Sequence, residues 1–536
     1  MHFWCLRMKQ TLDNATQQDS PDFLSYCSGG GGDGGRGGGG GAGAGAGAGE
    51  DRWTCRYRAT HGSPSTQPNF VILLMDDVGF GDITSFWNPQ NLTASTPFVD
   101  YMAANGISTF IRASTLIPNL ASARTGLTNV PFPTTQGGLP INETTFGETF
   151  SKAGYKTGVI GKWHLGQQGD FHPNSRGFDF YFGLPYSPGM GCADDVGFSV
   201  DDRVPCPKDW SEMPRCSAVS WYACQGEEGL NFPALPLLNG REIVEQPLNM
   251  TYLSLRYTHA AEIFITEREI STPFLLYVGL QHMLAPFYHM PAFTGMSARG
   301  DPYGDALLEM DWVIKTIVNV IAENGEAERT LIWVARGGGS SSKATVWEGG
   351  HRVPALAYWP GTIEGGRVSD EIVSMMDIFP TMASLAGVDM PGNRIHDGID
   401  ITNIVLNKPF SLQRRALFHP LNGYEKDDDN RKMGAVRVDQ FKAVYVTGGL
   451  PECGGKVGPA VSHNPPLIFN VKEDPMESSP INPASSEYRF ILMKVNQALV
   501  ELELSLAEDN TSFVDYSLNP FVMPCCNPPN VVCRCH

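Results

Sequence analysis

Short apolar runs separated by amphipathic stretches set the layout of this chain from Phe70 onward. Phe70–Met75 (FVILLM), Phe274–Leu280 (FLLYVGL), Thr330–Val334 (TLIWV) and Pro354–Tyr358 (PALAY) are apolar segments of strand length. That pattern suits strands buried on both faces of a parallel sheet. Between them, Thr96–Gly106, Thr145–Ala153, Asn249–Glu269, Asp305–Ala322 and Met375–Ala386 read as helices. Gly106 stands where a glycine commonly closes a helix. The alternation predicts an α/β domain with a mainly parallel central sheet over residues 67–415. From about Ala416 the pattern changes. Phe441–Val446 and Leu467–Val471 read as strands with no helix between them, and Tyr488–Leu506 as a late helix. Residues 416–536 are therefore expected to form a smaller α+β subdomain with an antiparallel sheet.

Composition alters this picture mainly at the start. Between Gly29 and Gly49, 15 of 21 residues are glycine. Such a stretch buries too little surface to offset its ordering entropy, so residues 1–66 are expected to be a disordered Gly/Ala-rich leader. The net charge of −18 falls entirely on residues 67–536, because the leader holds six basic and six acidic groups. An acidic body argues against nucleic-acid partners and anionic membrane surfaces. No apolar stretch approaches the length of a transmembrane helix. MHFWCLRMKQTLDN shows no signal-peptide h-region. Yet twelve cysteines and the sequons at Asn91, Asn142, Asn249 and Asn510 fit passage through an oxidising compartment. The crowded Cys525, Cys526, Cys533 and Cys535 are expected to form at least one disulfide.

The first candidate chemistry lies at Asp76 and Asp77, directly after the Phe70–Met75 run and before Gly79 and Gly81. Carboxylates at the carboxyl end of a buried strand sit where open α/β sheets place ligands. Successive side chains alternate, so both reach one point only if the backbone turns there. Two hard oxygen ligands suit Ca²⁺ or Mg²⁺. Taken alone, a bare pair of aspartates is more often a solvated loop.

Longer segments carry more information. NFVILLMDDVGFGD, GLPINETTFGETFSKAGYKTGVIGKWHLG, HPNSRGFDFYFGLPYS, WEGGHRVPALAYWPG, MMDIFPTMASLAG and the terminal PCCNPPNVVCRC together resemble the sulfatase family, from about Gln67 to the end. The resemblance implies an alkaline-phosphatase-like α/β sandwich with a C-terminal subdomain. It implies Ca²⁺-dependent hydrolysis of sulfate esters, with a sulfated small molecule or sulfated glycan as partner. It also implies a lysosomal or secreted location.

By the same resemblance, Asp76 and Asp77 match the first two metal ligands. Lys162 and His164 in GKWHLG match the pair flanking nucleophile and sulfate. Ser187, His282 and Lys343 match further polar positions of the site. The departures cluster. The family's nucleophile is a cysteine converted to formylglycine within C-x-P-S-R. Here TLIPNLASARTG places Leu116 at the cysteine and Leu120 at the arginine, so no formylglycine is expected. Leu284 stands at the second histidine of the HxHxP-like segment. Gly337 and Gly338 stand where two further metal ligands belong. Leucine cannot ligate, attack or transfer a proton, and two aspartates supply at most about four of the roughly 6–8 oxygens that Ca²⁺ takes. The expectation is lost or severely impaired catalysis with weak or absent Ca²⁺ binding. Two other readings stay open: a sulfuric ester hydrolase with an unconventional nucleophile, and a phosphoesterase, for which Thr115 and Ser122 are the nearest hydroxyls.

Overall fold

The computed structural model describes residues 65–79, 82–83, 96–112, 124–125, 127, 130–194, 206, 234–284, 287–337, 345–409, 416–420, 433–449, 458–509, 512–527 and 533–535. All of them lie in one compact unit, Thr60–His536. The expected leader lies outside the described residues.

The strands form where the apolar runs lie. β1 (Asn69–Asp76), β2 (Ile107–Arg112), β3 (Lys156–Gly161), β4 (Phe180–Gly183), β5 (Leu237–Asn239), β6 (Glu242–Glu245), β7 (Phe274–Leu280), β8 (Thr330–Gly337), β9 (Arg352–Tyr358) and β10 (Arg367–Val373) make one ten-stranded sheet. Its order is β10-β2-β9-β8-β1-β7-β3-β4-β5-β6. The centre, β8-β1-β7-β3-β4, is parallel. β9 enters antiparallel between β8 and β2, and β4-β5-β6 form an antiparallel edge. Parallel neighbours need crossovers, and the amphipathic stretches supply them.

The helices of this part of the chain are α1 (Pro97–Ala104), α2 (Phe146–Lys152), α3 (Leu253–Thr266), α4 (Pro302–Glu323), the short α5 (Glu348–His351) between the antiparallel β8 and β9, and α6 (Ile378–Ala386) after β10. β1 shows how the sheet is buried on both faces. Val71, Leu73 and Met75 join the core under α1, α3 and α4. Phe70 and Ile72 join the opposite core with Phe150 of α2 and Ile378 and Met382 of α6.

Local chemistry fixes the helix ends. Thr145 and Glu148 form a reciprocal capping box at the start of α2. Gly387 closes α6 with φ 65°. Gly106 follows the Asn105 cap, the helix-closing position expected of it, and its small size has a second reason. α1 ends at Ala104, and a Cβ on Gly106 would lie 2.5 Å from the Ala357 carbonyl oxygen of β9. Its small size permits a close strand approach.

A second, antiparallel sheet contains β11 (Ala416–Pro420), β12 (Met433–Val438), β13 (Phe441–Thr447) and β14 (Val461–Asn470). α7 (Thr402–Val405) precedes it, and α8 (Ser486–Glu508) covers it through Tyr488, Ile491, Val495, Ala498 and Leu502. Disulfides join Cys192–Cys206, Cys525–Cys533 and Cys526–Cys535. The C-terminal pairing expected from the crowded cysteines is thus present. Among the described residues, no helix is long and apolar enough to cross a membrane.

Candidate active site at the carboxyl edge of the sheet

Because β8, β1, β7 and β3 are adjacent and parallel, their carboxyl ends share one edge. The register sets what emerges there. Asp76 pairs with Gly337 on β8. Met75 pairs with Leu280, so Gln281 and His282 follow on β7. Gly161 pairs with Gly279, and β3 runs on into Lys162, Trp163 and His164. Trp163 N–H donates to the Leu184 carbonyl (3.0 Å) and His164 N–H to the Pro185 carbonyl (2.9 Å). Those bonds hold the segment that ends at Ser187 beside GKWH.

The backbone turns where two consecutive aspartates require it. Asp77 has φ 56° and His164 has φ 64°, both left-handed conformations that side chains other than glycine seldom adopt. Such strain persists only where surrounding structure enforces it, and it gathers at functional sites. Asp76 and Lys162 are both buried, and Lys162 Nζ donates to Asp76 Oδ2 at 2.8 Å. On β7, burial and the nearby Asp76 charge hold the Tyr277 phenol well above its ordinary range. His164 is buried as well.

The remaining candidates divide. Ser187 is half-buried and accepts from Gly189 N–H (3.4 Å), capping a short 3₁₀ turn. His282 is wholly buried. Its Nε2 lies 2.7 Å from Ser254 Oγ of α3 and 3.6 Å from Glu309 Oε1 of α4, and its ring stacks on Tyr288. Glu309 in turn accepts from Met290 N–H. Sequence reading missed Ser254, Glu309 and Tyr288, which lie on separate elements with no motif linking them. Leu284 is half-buried in the turn after β7, its N–H bonded to the Gln281 carbonyl (3.2 Å). Leu116, Leu120, Thr115, Ser122, Gly338 and Lys343 lie outside the described residues.

Downstream of Lys343, Glu348 at the start of α5 is held by β12 and β13. It accepts from Lys442 Nζ (3.2 Å) and Arg437 (3.4 Å), while its N–H donates to Glu477 (2.6 Å). Lys442 is wholly buried and also pairs with Glu477 at 2.8 Å. Burial raises the Glu477 carboxyl above its usual range.

Among the described residues, no group of three or more His, Cys, Asp or Glu side chains converges as a metal site. The donors legible at this edge are Asp76 and Asp77. Gly337 brings no side chain to the place beside Asp76, and Lys162 already lies against that carboxylate. Among the described residues, these two carboxylates supply at most about four of the roughly 6–8 oxygens that Ca²⁺ takes.

The family model "Sulfatase" matches residues 68–388, and "C-terminal region of aryl-sulfatase" matches residues 412–535. The chain belongs to the sulfatase family, and its fold is that family's alkaline-phosphatase-like one. Among curated relatives, Arylsulfatase G of Canis lupus familiaris is 40% identical over 521 residues, covering 90% of this chain and 94% of that protein. The solved PsFucS1 sulfatase from Pseudoalteromonas sp. is similar in fold, with a TM-score of 0.70 and 23% identity over 84% of this chain and 92% of that one. A further solved structure shows BT4656 in complex with its substrate D-glucosamine-2-N,6-O-disulfate. It has a TM-score of 0.55 and 17% identity over 83% of this chain and 99% of that one.

Proposed function

We propose that this chain is a sulfatase-family protein in which hydrolysis is lost or severely impaired, serving as a binding or regulatory module. The observation that supports the reading most directly is the pairing at the end of β1. Asp76 has Gly337, a residue without a side chain, on one flank and the Lys162 ammonium at 2.8 Å. On this reading Lys162 neutralises a carboxylate that the family devotes to its cation. Leu116, Leu120 and Leu284 stand where nucleophile, recognition arginine and catalytic histidine belong, and no formylglycine forms at Leu116. Lys162, His164, Ser187, His282 and Lys343 keep the polar character of the family's positions, and the edge retains affinity for a sulfated ligand. That ligand is a sulfated small molecule or a glycan sugar of the kind seen with the solved neighbour. Residues 416–536 act as a separate subdomain whose Lys442 and Arg437 brace the α5 turn. The location is lysosomal or secreted.

Removing one nucleophile or charge-stabilising donor costs on the order of 10²–10⁶ in rate, so several losses together leave little activity. Purified protein is assayed with an aryl sulfate and an aryl phosphate, with Ca²⁺ or Mg²⁺, at acid and neutral pH. The expected result is no turnover of either by folded protein. Sulfate turnover establishes a working hydrolase with an unconventional nucleophile, and phosphate turnover a phosphoesterase.

A further inference from the structure

α8 carries two apolar stripes, and only one of them is covered. Tyr488, Ile491, Val495, Ala498, Leu502 and Leu506 are buried against the small sheet. On the other side, Phe490, Met493, Val500 and Leu504 are 56%, 58%, 54% and 62% exposed. Fourteen large apolar residues are exposed among the described ones, and four of them lie on this one helix. Single exposed apolar residues are ordinary, but a continuous row marks a contact surface.

The spacing is specific. Phe490, Met493, Gln497, Val500 and Leu504 step by three and four residues in turn, the a/d repeat of a helix that packs on another helix. Gln497 is a polar residue at an a position in the middle, a known device for fixing register. The seam spans fifteen residues, about 21 Å of helix.

The flanks indicate what covers it. Arg489 and Lys494 lie toward the amino end, and Glu501 and Glu503 toward the carboxyl end. Against a second copy running antiparallel, with the two-fold axis near Gln497, Lys494 faces Glu501 and Arg489 faces Glu503, each pairing occurring twice. Only Glu487 and Glu508 meet as like charges, at the ends. A parallel partner would set Arg489 toward Lys494 and Glu503 toward Glu508, like against like. Charge placement of this kind selects partner and orientation. Lys494 now pairs with the exposed Asp439 at 2.9 Å, and Gln497 donates to Glu501 at 2.9 Å, both on the surface and free to exchange. Val438, Asp439, Lys494, Gln497, Ala498 and Glu501 line an open groove of about 300 Å³ that runs along this flank and leaves room for a partner's side chains.

We infer that two copies of this chain associate through an antiparallel pairing of their α8 helices along the Phe490–Leu504 seam. Four apolar side chains per copy make a small interface, so the dimer is weak and reversible.

Sedimentation velocity of the full chain over a hundredfold concentration range tests this. The expected result is a monomer–dimer equilibrium. Met493→Ser/Val500→Ser raises Kd at least tenfold while far-UV circular dichroism and the unfolding midpoint stay unchanged, since both positions face solvent in the monomer. Lys494→Glu weakens association at least threefold, and Lys494→Glu/Glu501→Lys restores it, because swapping both charges preserves antiparallel complementarity. A monomer at every concentration overturns the inference. So does a dimer indifferent to Met493→Ser/Val500→Ser, or one that the double charge swap fails to restore.

Discussion

Replacing Lys162 with methionine keeps most of the volume and removes only the ammonium beside Asp76. The two side chains are 7% and 6% exposed and 2.8 Å apart, so solvent screens them little. At an effective dielectric constant of about 20, two unit charges at that distance attract with a gross energy of about 6 kcal/mol. Much of this offsets the desolvation of both groups, so the pair as a whole contributes far less than the gross figure. Truncating one partner is different, because the other charge stays buried without this ion pair. The expected loss for Lys162→Met is about 3–5 kcal/mol. Asp76→Asn should cost a comparable amount, as it strands the ammonium. The double variant Lys162→Met/Asp76→Asn should lose less than the sum, with a coupling energy of at least ~2 kcal/mol. Guanidinium unfolding followed by tryptophan fluorescence measures each corner of the cycle, with unchanged m-values as the check that midpoints report stability. A single-variant loss under about 1 kcal/mol, or a coupling within ~0.5 kcal/mol of zero, refutes the reasoning and means that water screens the pair.

Two further outcomes are expected. With only Asp76 and Asp77 as legible donors, Ca²⁺ at 1 mM should raise unfolding stability by no more than ~0.4 kcal/mol, the value for a Kd of 1 mM or weaker, and a chelator should not lower it. Isothermal calorimetry that finds sub-micromolar Ca²⁺ binding abolished by Asp76→Asn would contradict this. Asp311 of α4 accepts from the Phe98 and Val99 N–H groups at the start of α1, and burial pushes its carboxyl up from 3.8 to about 7. The native state then holds a proton that the unfolded chain has released. Asp311 therefore contributes stability that is full below about pH 4 and declines as pH rises toward 7, by up to ~1.4 kcal/mol per unit. Asp311→Asn should flatten the stability–pH curve between pH 4 and 7, and an unchanged slope in urea titrations would show that the carboxyl titrates normally.

Much of this protein is written locally. Continuous apolar runs at Phe70, Phe274 and Thr330 became central strands, because burial on both faces leaves no room for a polar alternation. The helices α4 and α8 followed their periodicity, extending one to three residues beyond it at each end. The change of texture near Ala416 coincides with the first strand of the small sheet. At the candidate site, the sequence supplied Asp76 and Lys162 as types and positions, and it required a turn at the aspartates, which φ 56° at Asp77 provides.

Other features belong to the tertiary structure alone. Nothing local states that Gly337 ends up beside Asp76, because 261 residues separate them and only the β1–β8 register joins them. His282 stands in QHMLAP as a candidate site histidine, and nothing local names Ser254 and Glu309, which enclose it from two helices. The same holds for Lys442, which looks like a surface lysine in a strand and is wholly buried between Glu348 and Glu477. Gly106 reads as a helix stop and follows the cap of α1, but only the tertiary structure shows the approach of β9 that also requires its small size. α8 shows the division most plainly. Its sequence carries two apolar stripes, and periodicity alone cannot say which faces the small sheet. That choice depends on the surface that the sheet offers, because burial energy is a property of two matched faces and a single helix encodes only one of them.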